Sequence, residues 1–233
     1  MASHQANAVK ALQERAMARL SKYTSINSNA SSLMIDQSKI ASAVEGLGNM
    51  RLNPNSLETP SSYTMKLSKA AGRLLTESSK IKENVLKTYT NYTLDIDTRI
   101  AQRAGIKQNE YAAEIRNVFR GLDAKKRTDF LGEIVENLDG AAFAAIFNAP
   151  EVLTGITKDM RINFTNSFHA KAAPDLFEEQ EDIKEAIDNL LASIRIAEET
   201  SREYQDPQSV RRIELEVQKS QEAADKFNSA FEG

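Results

Sequence analysis

Residues 65–104 read MKLSKAAGRLLTESSKIKENVLKTYTNYTLDIDTRIAQRA, and a single stripe runs through them. Leu67, Ala71, Leu74, Ser78, Ile81, Val85, Thr88, Tyr92 and then Asp95 or Ile96 recur at alternating steps of four and three. That spacing keeps one face of an α-helix apolar over about four heptads, with Ser78 and Thr88 as weak points. Ser61 or Ser62 is suited to cap its start and Gly105 to end it. A helix of about 40 residues is roughly 60 Å long at 1.5 Å per residue. Such a helix cannot bury its stripe alone and must pack on other long helices or on another chain.

The same rhythm returns near the end of the chain. Leu176, Ile183, Ile187, Leu190, Ile194, Ala197 and Tyr204 follow it, and Asp206-Pro207 then reads as an N-cap with proline at the first helical position. A last helix keeps heptad spacing through Val210, Ile213, Val217, Ser220, Ala224, Phe227 and Phe231. Between the long helices, residues 106–173 change character. Asp123, Asp139 and Thr157 are placed to cap short helices that glycine or proline stops, and six of the nine phenylalanines fall here. This section is the expected compact hydrophobic node.

Upstream, residues 1–23 suit an amphipathic helix using Val9, Leu12, Ala16 and Leu20, ending near Lys22. Thr24 to Ser32 reads as a polar linker. A short helix from Leu33 to Glu45 follows, with Ile40, Val44 and Leu47 on its stripe and Gly46 and Gly48 as stops. Asn53 to Ser62 holds two prolines and many turn residues. The division expected is therefore a flexible N-terminal arm with short helices over 1–62 and a helical bundle domain over 63–233. The fold class is all-α: an elongated helical bundle with long coiled-coil-like helices and a compact node of short ones.

Composition agrees. Aromatics make 6% of the 233 residues and tryptophan is absent, while 9 glycines and 5 prolines leave few turns for an all-β chain. With no cysteine, disulfides and thiolate metal sites are excluded. The apolar run around Ala141–Ile146 falls far short of the ~20 residues of a membrane-spanning helix, and no signal-peptide core is read at the start. Charge is uneven: residues 64–128 hold fourteen basic against seven acidic side chains, and residues 174–206 hold three against eleven. A basic helix and an acidic one are natural antiparallel neighbours, with exposed pairs setting register more than stability, at about 0 to 1 kcal/mol each.

Chemistry-bearing patterns are scarce. His4 lies near the start, and His169 has Asn166, not glutamate, three positions before it, so the Glu-x-x-His ligand pattern is missing. Phosphate loops and nucleophile elbows are missing too. Glu178, Glu179, Glu181, Asp182 and Glu185 read as a solvated helix N-terminus favoured by the macrodipole, not as a calcium loop. No catalytic residue, cofactor or metal is expected, and the chain is read as non-enzymatic.

Two surfaces remain. Ile183, Ile187, Leu190, Ile194, Val210, Ile213, Val217, Phe227 and Phe231 form the candidate partner interface, through which the chain self-associates; the competing use is intramolecular core, which suits the first four at least as well. Arg116, Arg120, Lys125, Lys126 and Arg127 form a basic patch that nucleic-acid phosphates would suit. Interleaved acids, a pI near 5.6 and the lack of interleaved aromatics make pairing with an acidic helix the better use of these charges.

The segment Ile146-Phe147-Asn148-Ala149-Pro150-Glu151-Val152-Leu153-Thr154-Gly155-Ile156-Thr157, with Ala172-Ala173-Pro174 after it, resembles a stretch of small uncharacterised helical proteins of tailed bacteriophages. The likeness covers about 30 of the 233 residues. It implies a phage-encoded, virion-associated protein found in the virion or host cytoplasm, such as a scaffold or an ejected internal component, with no catalytic residues to carry over.

Overall fold

A computed structural model describes residues 2–25, 27–107 and 110–230. Among the described residues there are ten helices and no strand, so the chain is an all-α bundle. They are α1 (Ala2–Leu20), α2 (Ser28–Leu52), α3 (Pro60–Arg103), α4 (Ala112–Gly121), α5 (Ala124–Asn137), α6 (Gly140–Phe147), α7 (Glu151–Thr154), α8 (Lys158–Ala172), α9 (Pro174–Tyr204) and α10 (Pro207–Ser229). None is long and apolar enough to cross a membrane. The chain divides into two compact units, residues 1–87 with 185–233 and residues 88–184.

In the first unit α9 is the common partner. Arg19 of α1 meets its Glu185 at 2.6 Å and Gln5 its Glu203 at 3.5 Å, so α1 runs antiparallel to it. Gln37 of α2 donates to Ser193 at 2.8 Å, and Arg51 lies over the Tyr204 ring at 5.3 Å, so α2 runs parallel. Lys82 of α3 lies 3.9 Å from Glu198, and Gly72 lies beside Gln205, so α3 is antiparallel. Up-down-up-down packing results. The basic and acidic helices are indeed neighbours here. The core holds Val9, Ala16, Leu20, Leu33, Ile40, Val44, Leu74, Leu190 and Ile194, each no more than 6% exposed.

Several boundaries differ from the sequence reading for one reason: tertiary burial outweighs local preference. Helix α2 starts at Ser28, where the Asn27 side chain accepts from Asn29, and runs through Gly46 and Gly48 to Leu52. A mid-helix glycine costs about 1 kcal/mol relative to alanine, and burial of Leu33, Ile40, Val44 and Leu47 offsets it. Residues before 62 thus form two packed helices, and the turn at 53–59 lies inside the first unit. The turn is held by Asn55, which accepts from Leu57, and by the Tyr63 hydroxyl, which donates to the Met50 carbonyl at 2.9 Å. Thr59, not Ser61 or Ser62, caps α3: its hydroxyl accepts from Ser62 N at 3.2 Å, with Pro60 at the first helical position.

The second unit is built around α6, whose Gly140 and Ala142–Phe147 are all buried. Phe143 stacks on Phe147 (4.5 Å between centroids) and on Phe168 of α8 (4.2 Å). Phe119, Leu131, Ile134 and Ile156 complete the node expected from the phenylalanines. Asp123, Asp139 and Thr157 cap α5, α6 and α8 as read from the sequence. Helix α3 ends in a Schellman turn: Gly105 takes φ +64°, and Ile106 N reaches the Ala101 carbonyl at 2.9 Å. A Cβ on Gly140 would stand 2.5 Å from the carbonyl oxygens of Ala104 and Gly105, so only glycine lets α6 begin there. The segment of α3 after Thr88 packs antiparallel on the start of α9: Arg103 pairs with Asp175, and Gln180 donates to Asp97 at 3.1 Å.

Burial separates the apolar side chains into two classes with different mutational cost. Ile194→Ala, at a site 1% exposed, is expected to lower unfolding free energy by about 2–5 kcal/mol. Leu215→Ala, at a site 58% exposed, is expected to change it by less than about 0.5 kcal/mol. Urea denaturation of dilute protein checks both.

Candidate protein-interaction surface

Helix α10 begins as its sequence demands. Asp206 caps it, accepting from Ser209 N at 2.9 Å, with Pro207 at the first position. The hydrogen bonds from Ser209 hold the Asp206 carboxyl below its usual range. In its first two turns the helix leans on its own chain. Val210 is half-buried and Ile213 is 7% exposed, and Ile213 lines a groove with Thr59, Met65 and Lys69 around the start of α3.

Past Ile213 full burial stops, although Val217 lines the same groove. All 17 residues from Glu214 to Ala230 are exposed, yet they stay helical to Ser229. Val217, Ser220, Ala224 and Phe227 continue the stripe of Val210 and Ile213 on one face, with Val217 59% and Phe227 65% exposed. On the polar side Gln218 donates to Glu222 (3.0 Å) and Gln221 to Asp225 (3.2 Å), so that face satisfies itself along the helix.

The candidate interface residues therefore divide. Ile183, Ile187, Leu190 and Ile194 are at most 4% exposed. They are core of this chain, the use that suited these four at least as well as an interface. Val210 and Ile213 also pack on the chain itself. Val217 lines the same groove as Ile213 while remaining 59% exposed, Phe227 is 65% exposed, and Phe231 lies outside the described residues.

The basic patch divides as well. The Arg127 guanidinium donates to the Arg120 carbonyl at 2.6 Å and lies 5.7 Å from the Phe119 ring centroid. Arg116 donates to the Ala145 carbonyl at 3.1 Å. Each satisfies a carbonyl in the last turn of a helix, α4 and α6 respectively, where the macrodipole favours a cation. Lys126 stands 3.5 Å from Asp123, while Arg120 and Lys125 are exposed around the α4–α5 turn.

The acidic cluster of α9 is not uniformly solvated, which corrects the sequence reading. Glu179 and Asp182 are each 5% exposed, and the Tyr92 hydroxyl donates to Glu179 at 3.1 Å. Among the described residues no group of three His, Cys, Asp or Glu side chains is arranged to hold a metal. His169 lies beside the Phe143 ring, 6.2 Å between centroids. Burial pushes its imidazole below the usual 6.5, with Asp97 opposing. Gln37, which the sequence reading passed over, is buried on the α2 stripe between Leu33 and Ile40.

No family model, curated protein or solved structure matches the chain.

Arg127→Ala is expected to destabilise the protein by about 0.5–1.5 kcal/mol, through loss of its hydrogen bond to the Arg120 carbonyl and its contact with the Phe119 ring. Lys125→Ala stays within about 0.5 kcal/mol; thermal melts of both variants decide. For His169 the neutral form is favoured in the fold, so unfolded chains bind more protons as pH falls. Its contribution is complete above the unfolded value of 6.5 and is lost as pH drops through 6.5 toward the lowered folded value. Denaturation at pH 7.5, 6.5 and 5.5 is expected to show a stability slope in that window that His169→Gln reduces.

Proposed function

We propose that this is a non-enzymatic structural or assembly protein that acts by packing helix against helix on other protein chains, its own copies included. The observation that carries this reading is the apolar stripe of α10, half-buried at Val210, buried at Ile213, and exposed at every described residue from Glu214 to Ala230. A solitary helix of this length is marginal in water, because helical stability in proteins comes from packing an apolar face. The stripe therefore reads as half of an interface. Resemblance of the Ile146–Thr157 stretch to proteins of tailed phages supports placing this work in a virion or its assembly, as a scaffold-like, virion-associated or ejected component.

A second reading has Arg120 and Lys125, both exposed, holding nucleic-acid phosphates. It draws less support, since Arg116 and Arg127 are bonded to carbonyls of the chain.

Light scattering of the full chain over a concentration series tests the proposal. The mass is expected to rise above the 25.9 kDa of one chain. Val217→Glu combined with Phe227→Glu is expected to return it to one chain without lowering the melting temperature of dilute protein. A single-chain mass at every concentration contradicts the proposal. A low-salt mobility shift abolished by Arg120→Ala with Lys125→Ala would favour the nucleic-acid reading instead.

A further inference from the structure

We infer that the outer face of α3 over residues 66–87 is a binding surface for the phosphate backbone of duplex DNA, held without regard to base sequence. This goes beyond the proposed assembly role and is carried by a different helix. Lys66, Lys69, Arg73, Lys80 and Lys87 recur at heptad spacing, with Thr76 and Glu83 in the two remaining places, and all seven are exposed. They stand about 150° around the helix from the buried stripe of Leu67, Ala71, Leu74, Ser78 and Val85. Lys82 lies between the two stripes and meets Glu198 of α9 at 3.9 Å. In the first unit, charge pairing of α3 with α9 therefore draws on Lys82 and leaves the outer cations unused. Two of those five are partly engaged, Lys66 with Glu58 at 2.8 Å and Lys80 with Glu77 at 2.9 Å. Lys69, Arg73 and Lys87 have no acidic partner among the described residues. The hydrogen bond from Lys80 holds the Glu77 carboxyl below its usual range, and the charges of Arg73 and of Lys39 on α2 pull the same way. The field along this face is positive.

What the stripe lacks selects the partner. None of its seven positions carries an apolar side chain, so a partner helix finds no anchor there and a bilayer interior nothing to take up. Exposed ion pairs with another protein contribute about 0 to 1 kcal/mol each, too little to hold it through this face alone. A duplex differs, because every phosphate that is neutralised releases a condensed counterion, and the gain grows with each contact. The stripe runs about 32 Å at 1.5 Å per residue, a length over which each DNA strand presents about nine phosphates. Those phosphates form a stiff line beside which a long helix can lie. Single strands are held largely by stacking on aromatic rings, and the stripe has none. With no group arranged to stack on or enter between bases, the contact is with the backbone and is indifferent to sequence.

Fluorescence anisotropy of a short labelled DNA duplex of mixed sequence, titrated with the full chain, tests this. Binding at micromolar protein is expected in 50 mM salt, weaker by roughly 40- to 500-fold at 200 mM if three to five phosphates are neutralised. Lys69→Gln combined with Arg73→Gln and Lys87→Gln, all at exposed sites, is expected to melt as the parent does. Its affinity is expected to fall at least about tenfold, with a salt slope shallower by about 3. Glu83→Lys adds a cation to the stripe and is expected to tighten binding several-fold, a gain that misfolding cannot imitate. No binding in 50 mM salt would overturn the inference. So would binding that survives the triple substitution and is abolished by Arg120→Gln with Lys125→Gln. Polyglutamate or phosphatidylserine vesicles bound more tightly than the duplex at equal salt would overturn it in favour of an acidic protein or a membrane surface. Light scattering judges the assembly role separately: a single-chain mass with the duplex bound refutes that role and leaves this inference standing.

Discussion

Burial of one helix, α9, against three others is the constraint on which the first unit depends. A helix with a single partner needs one apolar stripe; α9 has to offer a face to α1, α2 and α3 together. It meets that demand with a wide band in which Ile187, Leu190 and Ile194 alternate with Ala186, Ser193, Ala197 and Ser201, all buried. The large side chains fill the space between helices, and the small ones let neighbours approach closely. Charged contacts such as Arg19–Glu185 and Lys82–Glu198 sit at the margins of this band. They favour the antiparallel alignments, while the apolar area supplies the energy, at roughly 25 cal/mol per Å² buried. The pair Gln37–Ser193 is the polar exception within it, a buried hydrogen bond that penalises any slip of α2 along α9.

Around α6 the second unit solves a different problem. Seven of the eight residues of this helix are buried, so its ends have to be satisfied by side chains instead of water. Asp139 accepts from Ala141 and Ala142 at the start, and Arg116 donates to Ala145 in the last turn. Two of the five cations in a cluster that looks like a nucleic-acid footprint in the sequence, Arg116 and Arg127, are thereby accounted for by helix ends. Tyr92 and Glu179 show the same economy, since a buried carboxylate is tolerated only with hydrogen-bonding partners.

How legible this was depended on the range of the interaction concerned. Caps at Asp123, Asp139, Thr157 and Asp206 are bonds within three residues, and the sequence states them outright. The long stripes of α3, α9 and α10 and the phenylalanine node were legible for the same reason: helical periodicity is local. Helix α2 was read too short because Gly46 and Gly48 are local stop signals, whereas the burial that overrides them comes from distant helices. Gln37 had a visible signal, since extending the spacing of Ile40, Val44 and Leu47 backwards lands on it and then on Leu33. Heptad spacing shows which face of a helix is apolar, not what covers it. That is why Ile187 and Val217 looked equivalent in sequence, although one is core and the other is surface.

The distal half of α10 is where the account is most exposed to contradiction. On the proposed function, residues 214–230 are helical because another chain covers their stripe. Amide hydrogen exchange of the full chain, followed by mass spectrometry at increasing protein concentration, reads this directly. Protection across 214–230 that is weak in dilute protein and grows with concentration, while that of residues 187–201 stays constant, is the predicted result. Protection of 214–230 that is already strong in dilute single chains, or that never appears at any concentration, would contradict it.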